Sequence, residues 1–276
     1  MTAYFSGKEP SFTVRLLHDR VYELLAEDKR LDGRTPKDIR KIDIKTNVIE
    51  KAEGSAMVSM GGTRIIAGVK SDIGQPFSDR PNEGVFTVNA ELLPLASKSF
   101  EPGPPSQEGV ELARIVDRSV RESRAIDLEK LCLITGQKAY VIFVDFYVLD
   151  YDGNYFDPSV LAAVAALSTA KLPKYEVVNG QLEKKEETFS ISLRTTPVSV
   201  TIGLIKDKML VDPSLAEQSS LDTSLVATFD SEGNICSVQK NSSGYIPMDL
   251  LKNMLTVAKE RTDFVRGRFT ELVKVG

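Results

Sequence analysis

The sequence predicts an α+β fold, and three observations predict it. Short runs of β-branched and alternating apolar residues recur along the chain, each bounded by Gly, Pro, Asn or Asp. Segments of helical periodicity follow such runs in both halves, so strands then helix occur twice without a detectable sequence repeat. The 276 residues are 42% apolar and 27% charged, a balance that buries a full core.

Taken in order, 11–28 reads as a helix with Phe12, Leu16, Leu17, Val21, Leu24 and Leu25 on its apolar side. Its His18, the only histidine, sits beside Asp19 and reads as a surface or capping residue, because nothing near it resembles a nucleophile. A charged turn follows at Arg30 to Arg34, where Gly33 permits a tight bend. Residues 39–49 alternate as a half-buried strand. Gly61-Gly62 separates two strands and predicts a hairpin; neither the Walker spacing nor GxGxxG is present. Another strand spans 84–96.

Pro102-Gly103-Pro104-Pro105 forces an extended entry into the next helix, which Ser106 or Gln107 caps. On that helix Leu112, Ile115, Val116, Ser119, Val120 and Ser123 share one face, and Arg114, Arg118 and Arg121 fall on the opposite one. Two readings of the arginines stand: a grip on phosphates, or a solvated face with Asp117–Arg121 and Arg118–Glu122 as i,i+4 pairs. A long strand at 138–151 turns at Asp152-Gly153-Asn154 into an Ala-rich helix that starts at Asp157-Pro158.

The first half ends near Leu172-Pro173. Beyond it, 187–193 and 198–211 read as strands, the latter broken near 206–208, and 225–229 with 235–240 as a hairpin. Segments 174–190 and 206–223 are polar enough to read as loops. Residues 247–273 close the chain as an amphipathic helix that Gly267 interrupts.

Net charge is −4, so a polyanion site must be local or be completed by a partner chain. Cys132 and Cys236 lie in apolar segments and read as buried free thiols of a reducing compartment. Two distant cysteines and one histidine exclude the usual zinc clusters. The first twelve residues carry no leader pattern, and no apolar run reaches the ~20 residues of a membrane span. The expectation is a cytoplasmic protein with no membrane contact.

Several blocks carry a resemblance: DGR (32–34), GSAMVSMGGTRIIAGVK (54–70), NAELLPLA (89–96), FEPGPP (100–105), ELARIVDRSVRESRAIDLEKL (111–131) and YVLDYDGNYFDPSVLAAVAAL (147–167). The chain resembles the ribonuclease PH superfamily from about Arg30 to its C-terminus. Within it, the chain is most similar to the branch of non-catalytic subunits of the archaeal exosome, with eukaryotic ring subunits of that branch similar too. The resemblance implies an RNase PH fold of two pseudo-repeated βαβα halves like ribosomal protein S5 domain 2, here about 30–172 and 173–276, after an N-terminal helical extension at 1–29. It implies a hexameric ring of three heterodimers with a catalytic RNase PH-like subunit, capped by S1- or KH-domain proteins. Such rings degrade single-stranded RNA from the 3′ end by phosphorolysis.

Three departures from active members bear on whether this chain carries the chemistry. The arginine pair of active members falls on Gln107 and Glu108, and a carboxylate there repels phosphate. Their phosphate-cradling turn falls on Asp152 to Phe156, where Tyr155 is bulky. Of their two aspartates six apart, Asp212 matches the first but Gln218 stands at the second, with Glu217 one residue away. The expectation is therefore no catalytic residue, no metal and no cofactor in this chain, phosphate being a co-substrate at the partner's active site. Arg114 and Arg118 match positions that bring positive charge to the RNA path, and are the expected RNA-binding residues. Arg34 is expected to form a structural ion pair.

Overall fold

A computed structural model describes residues 12–178 and 181–275, apart from the side chains of Phe12, Thr13, Arg15, Lys274 and Val275. Residues 1–11 of the expected 1–29 extension, with most of the segment read for a leader, lie outside the described residues. Helix α1 (Phe12–Ala26) comes first, then strands β1 (Ile42–Thr46), β2 (Gly54–Met60), β3 (Thr63–Gly74) and β4 (Val85–Leu92). Helix α2 (Gln107–Glu122) leads through β5 (Cys132–Ile134) to the long β6 (Lys138–Asp150) and helix α3 (Phe156–Thr169). Strands β7 (Lys171–Val178) and β8 (Gln181–Ser190) follow, then β9 (Val198–Ile205), β10 (Lys208–Val211) and the short α4 (Leu215–Gln218). The chain ends with β11 (Thr223–Phe229), β12 (Ile235–Asn241) and α5 (Met248–Val275).

The first sheet runs β1-β2-β3-β6-β4 with β5 on β6. Its β2–β3 hairpin turns at Gly61, whose φ of +57° suits a residue without Cβ, and Met60 faces Thr63 across it. Only β4 runs parallel to β6, and α2 lies in the connection that this reversal requires. The second sheet runs β10-β9-β11-β12, antiparallel throughout. Both halves place strands before a long helix, but α4 in the second half has only four residues where the first half has α2.

Helix α3 lies between the sheets, packed on β2, β3, β9 and α2. Every residue from Phe156 to Leu167 is buried, and four alanines in this stretch let the surrounding layers approach closely. Val198, Val226, Val265 and Phe269 from the second half join the core built on the first sheet, while Val200, Ile202, Leu225 and Met254 belong to a second cluster of the second half. Among the described residues no helix is long and apolar enough to cross a membrane.

Several expectations change. Segment 174–190 is a hairpin of β7 and β8, not a loop. Its residues beyond Thr188 and Leu172 are mostly exposed on both faces, so the apolar alternation that marks a strand is absent. Ion pairs of Lys174 with Glu187 and of Lys185 with Glu183 line it, and Tyr175 and Phe189 pack edge-on to Tyr140. Segment 206–223 likewise holds β10 and α4. The strand expected at 39–49 shortens to Ile42–Thr46, and the one at 187–193 ends at Ser190.

Helix α5 runs unbroken through Gly267, which lies in open space. One glycine costs a helix only about 1 kcal/mol against alanine, too little to break a long packed one. Cys132 and Cys236 are free as expected but only half-buried; burial still pushes the Cys236 thiol up to about 11. His18 joins Asp19 to Asp222, at 3.3 and 3.4 Å.

Candidate nucleic-acid interface

Helix α2 begins where expected. Ser106 is its N-cap, with the side-chain oxygen accepting from the Gly109 amide at 3.1 Å. Leu112, Ile115, Val116, Ser119 and Val120 are buried, as the 3.6-residue pattern requires. The second sheet anchors the helix through a hydroxyl chain. Ser119 spends its only proton on the Ile115 carbonyl at 2.7 Å, so Thr228 donates to Ser119 at 2.8 Å and Ser237 to Thr228 at 3.1 Å.

The three arginines of the stripe separate in the structure. Arg114 is exposed. Arg118, one turn on, is half-buried and donates from Nη1 to the Gln239 Oε1 at 3.3 Å. Arg121 is a structural residue: it forms a two-pronged pair with Asp117 at 2.7 and 3.1 Å and donates to the Phe86 carbonyl at 2.8 Å. Among the described residues, neither Arg114 nor Arg118 forms an ion pair; of the two pairs in the solvated-face reading, Arg118–Glu122 is not made, whereas Asp117–Arg121 is. The stripe thus reduces to two adjacent available cations.

Beside the start of α2 lies a cleft of about 540 Å³, lined in part by Phe100, Pro102, Glu108, Tyr151, Tyr155 and Leu215. Tyr155 is 2% exposed and packs on Tyr151 and Phe156 at 5.4 and 4.6 Å between ring centres. Its ring fills space that a phosphate cradle would leave open. Glu91, Glu101 and Glu108 also border the cleft, which makes it unfavourable for phosphate.

The turn after β6 is closed from the other side. Gly153 has φ +80°, and a Cβ there would meet the Ser214 and Leu215 backbone at 2.5 Å, so only glycine fits. Its carbonyl accepts from the Thr63 hydroxyl at 2.6 Å and from Arg40 at 3.2 Å. The next amide, that of Asn154, donates to the Gln218 side-chain oxygen at 2.9 Å. Gln218 thereby occupies an amide of the turn that a bound anion would otherwise take.

Both carboxylates near the expected aspartate pair are consumed by arginines. Asp212 accepts five hydrogen bonds: from Arg40 Nη2 at 2.7 Å, Arg40 Nε and backbone N at 2.9 Å, Asn154 at 2.8 Å and Arg34 at 3.1 Å. Burial pushes its carboxyl up, but the Arg40 bonds and charge outweigh that and hold it below the ordinary range. Glu217 is wholly buried, paired with the Arg30 guanidinium and held by the Ser214 amide and hydroxyl at 2.9 Å in a capping box. Arg34 bonds Asp32 and Asp212, as its structural role required. Behind this knot, Asp157 accepts from Asn154 at 2.8 Å and from the Thr201 amide and hydroxyl at 2.9 and 2.8 Å. Its complete burial pushes the carboxyl up to about 7.

Arg30, Arg40 and Gln239 were not foreseen. Arg30 and Arg40 meet partners 187 and 172 residues away, a pairing no local pattern reports.

Comparison with known proteins agrees with this architecture. Residues 38–173 match domain 1 and residues 195–261 match domain 2 of the 3′ exoribonuclease family (RNase PH). The chain is 45% identical to the exosome complex component Rrp42 of Thermococcus gammatolerans, over 94% of this chain and 95% of that one. It is 44% identical to the Rrp42 component of Methanopyrus kandleri, over 91% and 95%. Among solved structures it is similar to a chain of the Archaeoglobus fulgidus exosome with RNA bound to the active site, with TM-score 0.86, 43% identity and coverage of 94% and 100%. A rice Rrp46 structure, 18% identical at TM-score 0.66, shares the fold. By sequence over nearly its whole length and by fold, this chain belongs to the 3′ exoribonuclease family with both RNase PH domains.

Proposed function

We propose that this chain is a non-catalytic ring subunit of an exosome, a complex that degrades RNA from the 3′ end by phosphorolysis. It holds backbone phosphates of single-stranded RNA with Arg114 and Arg118 while a catalytic RNase PH-type partner performs the chemistry. One observation carries the reading. The carboxylates nearest the family's aspartate pair are neutralised within buried arginine pairs, while two arginines of α2 stay without a carboxylate partner among the described residues.

A carboxylate with five donors has no lone pair left for a proton in flight or a Mg²⁺ ion. Inorganic phosphate attacks the terminal phosphodiester in the partner's site, and the displaced 3′-hydroxyl leaves on the shortened RNA, releasing a nucleoside diphosphate. This chain supplies positive charge and orientation, with phosphate the sole co-substrate and no cofactor of its own. Phosphate contacts are tolerant of sequence, as a processive degrader requires. The assembly reading adds three heterodimers in a ring, S1- or KH-domain caps and a cytoplasmic location, supported by similarity to the exosome components above.

Phosphate-dependent degradation of a single-stranded RNA by this chain alone, the catalytic partner alone and their mixture tests the proposal. Activity in the mixture only, weakened by Arg114→Ala with Arg118→Ala, is expected. Nucleoside diphosphate release by this chain alone would make it an enzyme. A mixture indifferent to the double substitution would make it a scaffold without RNA contact.

A further inference from the structure

Gln239 on β12 stands between opposite charges of α2. Its carbonyl accepts from Arg118 at 3.3 Å, and its amide nitrogen donates to Glu111 Oε1 at 3.3 Å. The amide has one orientation here, because a guanidinium only donates and a carboxylate only accepts. Glu111, Arg114 and Arg118 are spaced three and seven residues apart and so lie along one side of α2. Glu111 is half-buried, and burial pushes its carboxyl up, the Gln239 bond pulls it back and Glu108 pushes it up again.

The strand that carries Gln239 is fixed against the helix two residues earlier, through the Ser237–Thr228–Ser119 hydroxyls. The amide is therefore held in register with α2 rather than left to swing.

We infer that Gln239 is a positioning residue that keeps the Arg118 guanidinium off the Glu111 carboxylate and available to an RNA phosphate. This rests on the reading of Arg118 as an RNA contact. A neutral amide suits the task, since it gives the guanidinium an acceptor without cancelling its charge. With an apolar residue in its place, the Glu111 carboxylate that the same amide now engages is left free to accept from Arg118. The arginine then pairs within the protein and holds RNA less well.

The test uses the full chain assembled with its RNase PH-type partner, with fluorescein-labelled oligoadenylate as probe in phosphate-free buffer, read by anisotropy. Gln239→Leu is expected to weaken binding roughly three- to tenfold, the scale of one orienting hydrogen bond. Adding Glu111→Gln restores wild-type affinity, because the competing carboxylate is gone, and Gln239→Leu has no further effect on Arg118→Ala. Gln239→Glu keeps the side-chain shape but places a charge on the arginine, and weakens binding as well. If Arg118→Ala loses affinity while the Gln239 variants bind as wild type, the inference falls and the RNA contact stands. A loss that Glu111→Gln does not restore also overturns it. If Arg118→Ala itself binds as wild type, the reading beneath it falls too.

Discussion

Two sets of arginines in this molecule have opposite fates. Arg30 and Arg40 are 3% and 8% exposed and bound to Glu217 and Asp212. Among the described residues, Arg114 and Arg118 stand on α2 with no carboxylate partner, and Arg118 bonds a neutral amide. The difference teaches where charge is spent. In the knot, each guanidinium satisfies carbonyls and carboxylates drawn from both halves of the chain, so its charge is cancelled and its role is cohesion. On α2, Arg114 and Arg118 carry charge that no carboxylate among the described residues cancels, which in the proposed reading leaves it for a ligand rather than the fold.

The largest effect that would sharpen this contrast comes from the knot. Asp212→Ala leaves the buried Arg40 with only the half-exposed Asp152 carboxylate, at 3.5 Å, as counter-charge and should cost about 3–5 kcal/mol of stability, read by urea unfolding. A loss under 1 kcal/mol would erase the distinction between the two sets.

Next comes pH. The folded carboxyl of Asp157 lies near 7, above its ordinary 3.8. Its contribution is therefore full below the unfolded value and is lost as pH rises through 7. Thr201 can turn its hydroxyl to accept the proton, since a hydroxyl both donates and accepts. Asp212 is shifted down and works in the opposite sense: its contribution is present above 3.8 and lost as pH falls. Stability should drop by about 2 kcal/mol from roughly pH 5 to pH 7 on account of Asp157. Unfolding midpoints across that range check it, and Asp157→Asn should flatten the slope.

Arg121 divides the stripe. Because it pairs with Asp117 and the Phe86 carbonyl, Arg121→Ala should cost about 1–2 kcal/mol and leave RNA affinity unchanged. Arg114→Ala should shift stability by less than about 0.5 kcal/mol while lowering RNA affinity. Thermal unfolding beside anisotropy on the same samples reads both quantities.

Elements whose own residues dictate them were readable in the sequence. The Gly61-Gly62 hairpin, the Ser106 cap with the apolar face of α2, and the hairpin around 230–234 all rest on contacts close in the chain. The β7–β8 hairpin escaped because both its faces meet solvent, so paired charges such as Lys174 with Glu187 replace apolar alternation. At the site, sequence pointed to Arg114 and Arg118 and to Asp212, Glu217 and Gln218. What it did not show was that Gln218 caps the Asn154 amide, that Arg30 and Arg40 consume the carboxylates, or that Gln239 supports Arg118. Those are pairings across 64 to 187 residues, set by how the two sheets meet.

The most direct measurement is the salt dependence of RNA affinity in the assembled ring, wild type against Arg114→Ala/Arg118→Ala. On a single strand each phosphate contact contributes about 0.7 to the slope of log affinity against log salt, so losing two should flatten it by about 1.4. That result would mark the α2 arginines as the charge that meets RNA. An unchanged slope would contradict it and leave both sets of arginines as parts of the scaffold.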